Sequence, residues 1–153
     1  QPDVKVKVML ENTAGAGSSL GHRLENIVEI MEKSGFQEKI YFCLDTCHAF
    51  VSGYDLSSPE GLDQTLTDID RLIGLDRLPV IHLNDSKFGL GSFRDRHAHI
   101  GAGKIGMKGM RRIVRHPALR DKVFILETPK DSPEADNRNI SLIKSFRGYN
   151  ENK

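Results

Sequence analysis

The sequence predicts an α/β protein built on a parallel sheet, and three observations carry that prediction. Four short runs rich in Val, Ile, Leu and Phe recur along the 153 residues: VKVKVMLE ending at Glu11, IYFCLD at Asp45, PVIHLND at Asp85 and VFILE at Glu127. A segment with apolar residues at helical spacing follows each run. Each run also closes on a carboxylate, or on a His with an Asp close behind. Strands that alternate with helices require a parallel sheet with right-handed crossovers. In such folds the reactive groups collect at the C-terminal ends of the strands.

The elements follow in order. Residues 4–10 read as the first strand, and the Gly-rich stretch Asn12 to Gly21 as a loop. Over 22–33, Leu24, Ile27, Val28, Ile30 and Met31 trace a helix that ends near Gly35. Residues 40–44 are the second strand, and Asp45 to Ser57 is expected to be a loop. Ser58 suits an N-cap and Pro59 the first helical position; Leu62, Leu66, Ile69, Leu72 and Ile73 then form a buried stripe that stops at Gly74. Val80 to Leu83 is the third strand, followed by a long polar loop from Asn84 to Gly106. A short helix over about 107–116 ends before Pro117, which forbids continuation. Residues 123–126 form the fourth strand. A last helix runs from Pro133-Glu134 past Ile140, Leu142, Ile143 and Phe146 to a polar, frayed tail.

Composition bounds the function. Hydrophobic content of 38% and charged content of 28% fit a soluble globular domain, and no apolar run approaches the ~20 residues of a membrane span. A net charge of +1 excludes a broadly polybasic chain but leaves room for a local basic rim. Cys43 and Cys47 are the only cysteines; Cys43 reads as a buried small hydrophobe in a strand and Cys47 as a loop residue two positions past Asp45, neither with a metal role, and the pair points to a reducing, intracellular compartment. The chain opens at Gln1 and enters a strand almost at once, so it is expected to be a piece of a longer protein.

Seven residues at or just past the strand ends have metal-ligand chemistry: Glu11, Asp45, His48, His82, Asp95, His97 and Glu127. Singly, each has an ordinary explanation. Asp45 and His48 would satisfy each other, His82 would be a core histidine, and Asp95 would pair with Arg94 or Arg96. Together, several carboxylates converging on one sheet edge would repel and stay protonated without cations. Mixed His nitrogen and carboxylate oxygen suits Zn²⁺, or Mn²⁺, better than Ca²⁺. Seven ligands exceed one tetrahedral site, and closely spaced metals are the usual apparatus of phosphodiester hydrolysis. His22, His99 and His116 are expected to be non-ligands, with His22 and His116 serving helix ends.

The segments that carry these residues resemble the endonuclease IV family of zinc-dependent apurinic/apyrimidinic endonucleases. They are L-E-N-T-A-G-A-G-S-S-L-G at 10–21, C-L-D-T-C-H-A-F-V-S-G-Y-D at 43–55, H-L-N-D-S-K at 82–87, G-S-F-R-D-R-H-A-H-I-G-A-G-K-I-G at 91–106 and L-E-T-P at 126–129. They occur in family order across roughly 4–146, although Ala16 stands where the family usually has a polar residue. The resemblance implies a (β/α)₈ barrel of TIM type, of which residues 1–153 would be one partial domain, the last four βα units. It also implies up to three zinc ions. Glu11 would bridge two of them and act in catalysis. Asp45, His82 and Glu127 would complete one set, and His48, Asp95 and His97 another. The remaining ion needs ligands from the missing N-terminal half of the barrel.

The implied activity is DNA repair: hydrolysis of the phosphodiester 5′ to an abasic site in double-stranded DNA, within base excision repair. Lys87, Arg94, Arg96 and Lys104 lie in loops beside the ligands and are candidate phosphate contacts. The expected location is cytoplasmic in a bacterium, and nuclear or mitochondrial in a eukaryote. Two other readings stay open at this point: a xylose-isomerase-like, metal-dependent sugar isomerase, and an inactive fragment that binds metal or DNA.

Overall fold

In the computed structural model, residues 6–148 are described. Positions 4 and 5 of the expected first strand, the tail from 149 on, and so the two ends of the expected 1–153 domain lie outside them. The continuous apolar run Val8-Met9-Leu10 lays down β1 (Val8–Glu11), which starts later than the expected strand, with residues 6 and 7 outside it, and the Leu24/Ile27/Met31 stripe builds α1 (Leu24–Lys33). Then come β2 (Ile40–Asp45), α2 (Thr46–Ser52) and α3 (Pro59–Leu72). Next are β3 (Val80–His82), β4 (Asp85–Ser86) and β5 (His97–Ala98). The chain closes with α4 (Gly106–Arg115), β6 (Val123–Ile125) and α5 (Ala135–Phe146).

The main sheet is parallel, in the order β1-β2-β3-β6. One face carries Leu10, Phe42, Leu44, Ile81, Leu83, Phe124 and Leu126 into the core beneath the helices. The helices pack in sequence, α1 on α3, α3 on α4 and α4 on α5. The register (Glu11 opposite Cys43, Asp45 opposite His82, His82 opposite Ile125) puts alternate residues on the other face. That face holds the charged strand ends. Below them it is open: Met9 is 41% exposed, Ile125 43% and Val123 57%.

Two stretches differ from their expected form. The segment after Asp45 is not a loop but opens with α2, whose first turn is capped by the Asp45 side chain and whose end is turned by Gly53 at φ 114°. The long loop from Asn84 to Gly106 contains the antiparallel β4–β5 hairpin. Buried Asp85 organises that loop's return, accepting hydrogen bonds from the N–H groups of Ser86, Gly103, Ile105 and Gly106. The expected caps are present elsewhere: Ser58 accepts the Gly61 N–H at 3.1 Å, and Gly74 turns the chain at φ 96°.

Ile81 has no exposed surface and anchors the central strand against the helices. Ile81→Ala is expected to lower unfolding free energy by about 2–5 kcal/mol through lost burial and a residual cavity. Urea denaturation measures this, and a loss below about 1 kcal/mol would contradict the packing described.

Candidate metal centre

Glu11, Asp45, His82 and Glu127 are delivered by the ends of β1, β2, β3 and β6, and their ligand atoms lie within 4.8 Å of one another. Within this group His82 Nδ1 is 3.1 Å from Glu11 Oε1 and 3.2 Å from Glu127 Oε2. A second group joins Asp45 with His48 and His97, and a third joins Asp95 and His97 with Cys47. His48 Nε2 also approaches Asp95 Oδ2 at 3.2 Å. The geometry thus regroups the expected sets, because Asp45 belongs to two of the three groups instead of one. The seven expected residues are together at one end of the sheet.

Helix geometry and backbone carbonyls aim the histidines. The N-cap bond from His48 N–H to Asp45 Oδ1, at 2.8 Å, starts α2 so that the His48 ring turns back over the strand ends. His48 Nδ1–H donates to the Asn12 carbonyl at 2.9 Å, and His97 Nδ1–H donates to the Glu127 carbonyl at 3.0 Å. These bonds commit each Nδ1 and leave Nε2 as the nitrogen available to a metal, and both Nε2 atoms are buried without a hydrogen-bond partner. An unsatisfied buried nitrogen is unfavourable unless something electrophilic meets it. Two such atoms facing carboxylates have the donor chemistry of a divalent metal site.

The electrostatics agree. A hydrogen bond from His48, with the nearby His82, holds the Glu11 carboxyl below its usual range. Burial pushes the Asp45 carboxyl up, against the pull of His48, His97 and Asn84. Burial also opposes charge on His48, but Glu11, Asp45 and Asp95 outweigh it and raise its pKa to about 9. Burial raises both thiols to about 12, so Cys43 and Cys47 are poor ligands. The proximity of Cys47 to Asp95 and His97 follows from its packing under the hairpin.

The remaining expectations fall as follows. Lys87, Arg94, Arg96 and Lys104 are exposed on the β4–β5 hairpin and its return, and none has an ion pair among the described residues. The Arg94 guanidinium stacks 3.6 Å over the Phe88 ring, and Arg96 donates to the Asp95 carbonyl. Asp95 therefore faces histidines and not the arginines beside it. His99 uses both nitrogens on Asp131 and Asn139, and His116 on Asp63 and the Ala118 N–H. His22 differs from its expected role: it caps no helix, and its ring meets Phe93 edge-on at 6.0 Å. Phe93 has φ +55° and lies over Gly15, where a Cβ would come within 2.8 Å of its ring. That close approach couples the loop after β1 to the loop that carries Asp95.

Sequence reasoning missed two polar residues. Asn12 donates to the Asp45 carbonyl and accepts the Asp45 N–H, which fixes the end of β2. Asn84 touches both Asp45 and Glu127. Each follows a ligand by one or two positions, which is the signal that could have identified them.

A family profile described as xylose isomerase-like TIM barrel matches residues 2–146. A probable endonuclease 4 of Halothermothrix orenii is 52% identical over 141 residues, covering 92% of this chain and 50% of the relative. One from Methanoculleus marisnigri is 48% identical over 143 residues, covering 94% and 51%. The crystal structure of endonuclease IV from Thermus thermophilus is similar with a TM-score of 0.81 and 43% identity, covering 93% of this chain and 50% of that one. The chain spans about half the length of the curated relatives it matches. Its parallel strand–helix order and a profile match along nearly its whole length place it plainly: the chain belongs to the xylose isomerase-like TIM-barrel family, as a partial barrel similar to the endonuclease IV proteins.

Proposed function

We propose that this chain is part of a zinc-dependent DNA repair endonuclease that hydrolyses the phosphodiester 5′ to abasic sites, and that it supplies most of the metal centre. One observation carries the reading. Four strand ends and two adjoining segments bring His and carboxylate groups into linked clusters that share Asp45, with two buried Nε2 atoms free to bind. Relatives named as endonucleases support the reaction class. Glu11, Asp45, His82 and Glu127 would hold one ion, and His48 and His97, with the shared Asp45 and the adjoining Asp95, another. Glu11 would extend to a third ion whose other ligands come from outside this chain. When bound, the ions supply a more acidic water and positive charge opposite the developing negative charge on phosphate oxygens.

The chain's own residues do the rest. Glu11, held by His48 and His82, orients the attacking water by accepting its proton. Lys87, Arg94, Arg96 and Lys104 contact flanking phosphates and set the register of the duplex. The open inner face and the edges of β1 and β6, unpaired among the described residues, are covered by the remaining strands of the barrel, since parallel sheets are normally buried on both faces. The two buried, reduced thiols suit an intracellular setting. A sugar-isomerase reading is favoured by the description of the matched family. The names of the relatives and the unpaired cations beside the ligands favour the nuclease.

The decisive experiment uses the full-length protein. An abasic-site duplex should be cut in an EDTA-sensitive manner, aldoses should be left unchanged, and Glu11→Gln should lower kcat by about 10²-fold or more. Absence of cleavage by zinc-loaded protein, or isomerisation of a sugar, would refute the proposal. A pH effect follows from His48. Its pKa near 9 means a proton occupies the ring at neutral pH and must leave when Nε2 takes a metal. Apparent metal affinity should therefore weaken as pH falls below about 9, with proton release on binding at pH 7. Calorimetry in buffers of different ionisation enthalpy reads that release, and a buffer-independent heat would contradict it. Finally, Lys87→Ala with Arg96→Ala should reduce the slope of log K against log salt for DNA by about 0.9 per lost contact. An unchanged slope would remove these residues from the interface.

A further inference from the structure

We propose that Asn84 is the positioning residue that sets the spacing of the Asp45 and Glu127 carboxylates, so that the pair is ready for a shared cation before one arrives. This rests on the metal-centre reading above. Asn84 has no exposed surface and lies on the same side of the sheet as His82, two residues beyond it. It therefore sits between the ends of β2 and β6, the strands that flank β3.

Its contacts connect both neighbours. Nδ2 donates to Asp45 Oδ2 at 2.6 Å and lies 3.4 Å from Glu127 Oε2. Oδ1 accepts the Glu127 N–H at 2.9 Å. The backbone of Asn84 is itself fixed: its N–H donates to Thr46 Oγ1 at 2.9 Å, and its carbonyl accepts from the same hydroxyl at 2.7 Å.

These bonds settle which way the amide points. The acceptor must face the Glu127 N–H and the donors must face the carboxylates. An amide is also the side chain the position calls for. Two carboxylates drawn together repel, the more so because Asp45 has no exposed side-chain surface, and two N–H donors bridge them without adding charge. A lysine would neutralise them and compete with the cation. With the His48 N–H on Asp45 Oδ1 and Asn84 on Oδ2, both oxygens of Asp45 are oriented, and each keeps a lone pair for a metal.

A merely structural plug would make the same contacts, so the test separates the two roles. In the full-length protein, Asn84→Leu keeps the side-chain shape but removes the donors, and Asn84→Ala removes both. Zinc affinity is measured by competition with a chromophoric chelator, alongside urea denaturation of the metal-free proteins. Positioning predicts that both variants, while folded, bind zinc at least about tenfold more weakly than wild type. A structural plug predicts a shifted urea midpoint with zinc affinity within about twofold of wild type, and that result overturns the proposal. Failure of both variants to fold also overturns it, since Asn84 would then be a folding residue. If wild type itself binds no zinc, the metal-centre reading fails and takes this inference with it. Wild-type binding with unaltered variants sinks the inference alone.

Discussion

Asp45 ends the central strand β2 with no exposed side-chain surface, and an isolated carboxylate there would be strongly unfavourable. The surrounding structure answers that constraint. The His48 N–H caps Oδ1, Asn84 donates to Oδ2, and Asn12 clamps the backbone on either side. Thr46 bridges to the carbonyls of His82 and Asn84, which ties β2 to β3 at the same level. The cap that steadies the charge also starts α2, and α2 carries His48 over the strand ends. One buried carboxylate therefore links sheet register, a helix start and two ligand clusters. This is why Asp45 is common to both clusters while Glu11 and Asp95 stand nearer solvent.

The same sheet has two unlike faces. Its helix side is closed by Phe42, Leu44, Ile81 and Leu83, all buried. Its inner side presents apolar Met9, Val123 and Ile125 to solvent beneath the polar rim, and β1 and β6 have unpaired edges among the described residues. A parallel sheet half-covered in this way is complementary to further strands, and relatives twice as long match along half their length. The ligand clusters belong to the side that further strands would enclose.

Period-two and period-3.6 patterns made the long elements legible, and Ser58-Pro59 and Gly74 marked the limits of α3. Periodicity does not reveal α2, because seven residues are too few to show a helical stripe and Asp45 has the chemistry of a ligand as well as of a cap. Nor does it reveal the β4–β5 hairpin, because two-residue strands carry no alternation. The site behaved similarly. A strand end that closes on Glu or Asp is visible in one dimension, so the meeting of Glu11, Asp45 and Glu127 near His82 at one end of the sheet could be expected from sequence. The residues alone do not give the partners of Asp95, because Arg94 and Arg96 are adjacent along the chain; only the family resemblance groups it with His48 and His97, which it faces across the fold.

By itself, the sequence determined the order of strands and helices and the end of the sheet at which metal-binding chemistry collects, because both follow from local periodicity and chain direction. Only the tertiary structure decided which atoms meet. The sharing of Asp45, the ring orientations of His48 and His97 and the bridge through Asn84 depend on strand register and on backbone carbonyls tens of residues away. Those are distances of a few ångströms that no spacing along the chain encodes.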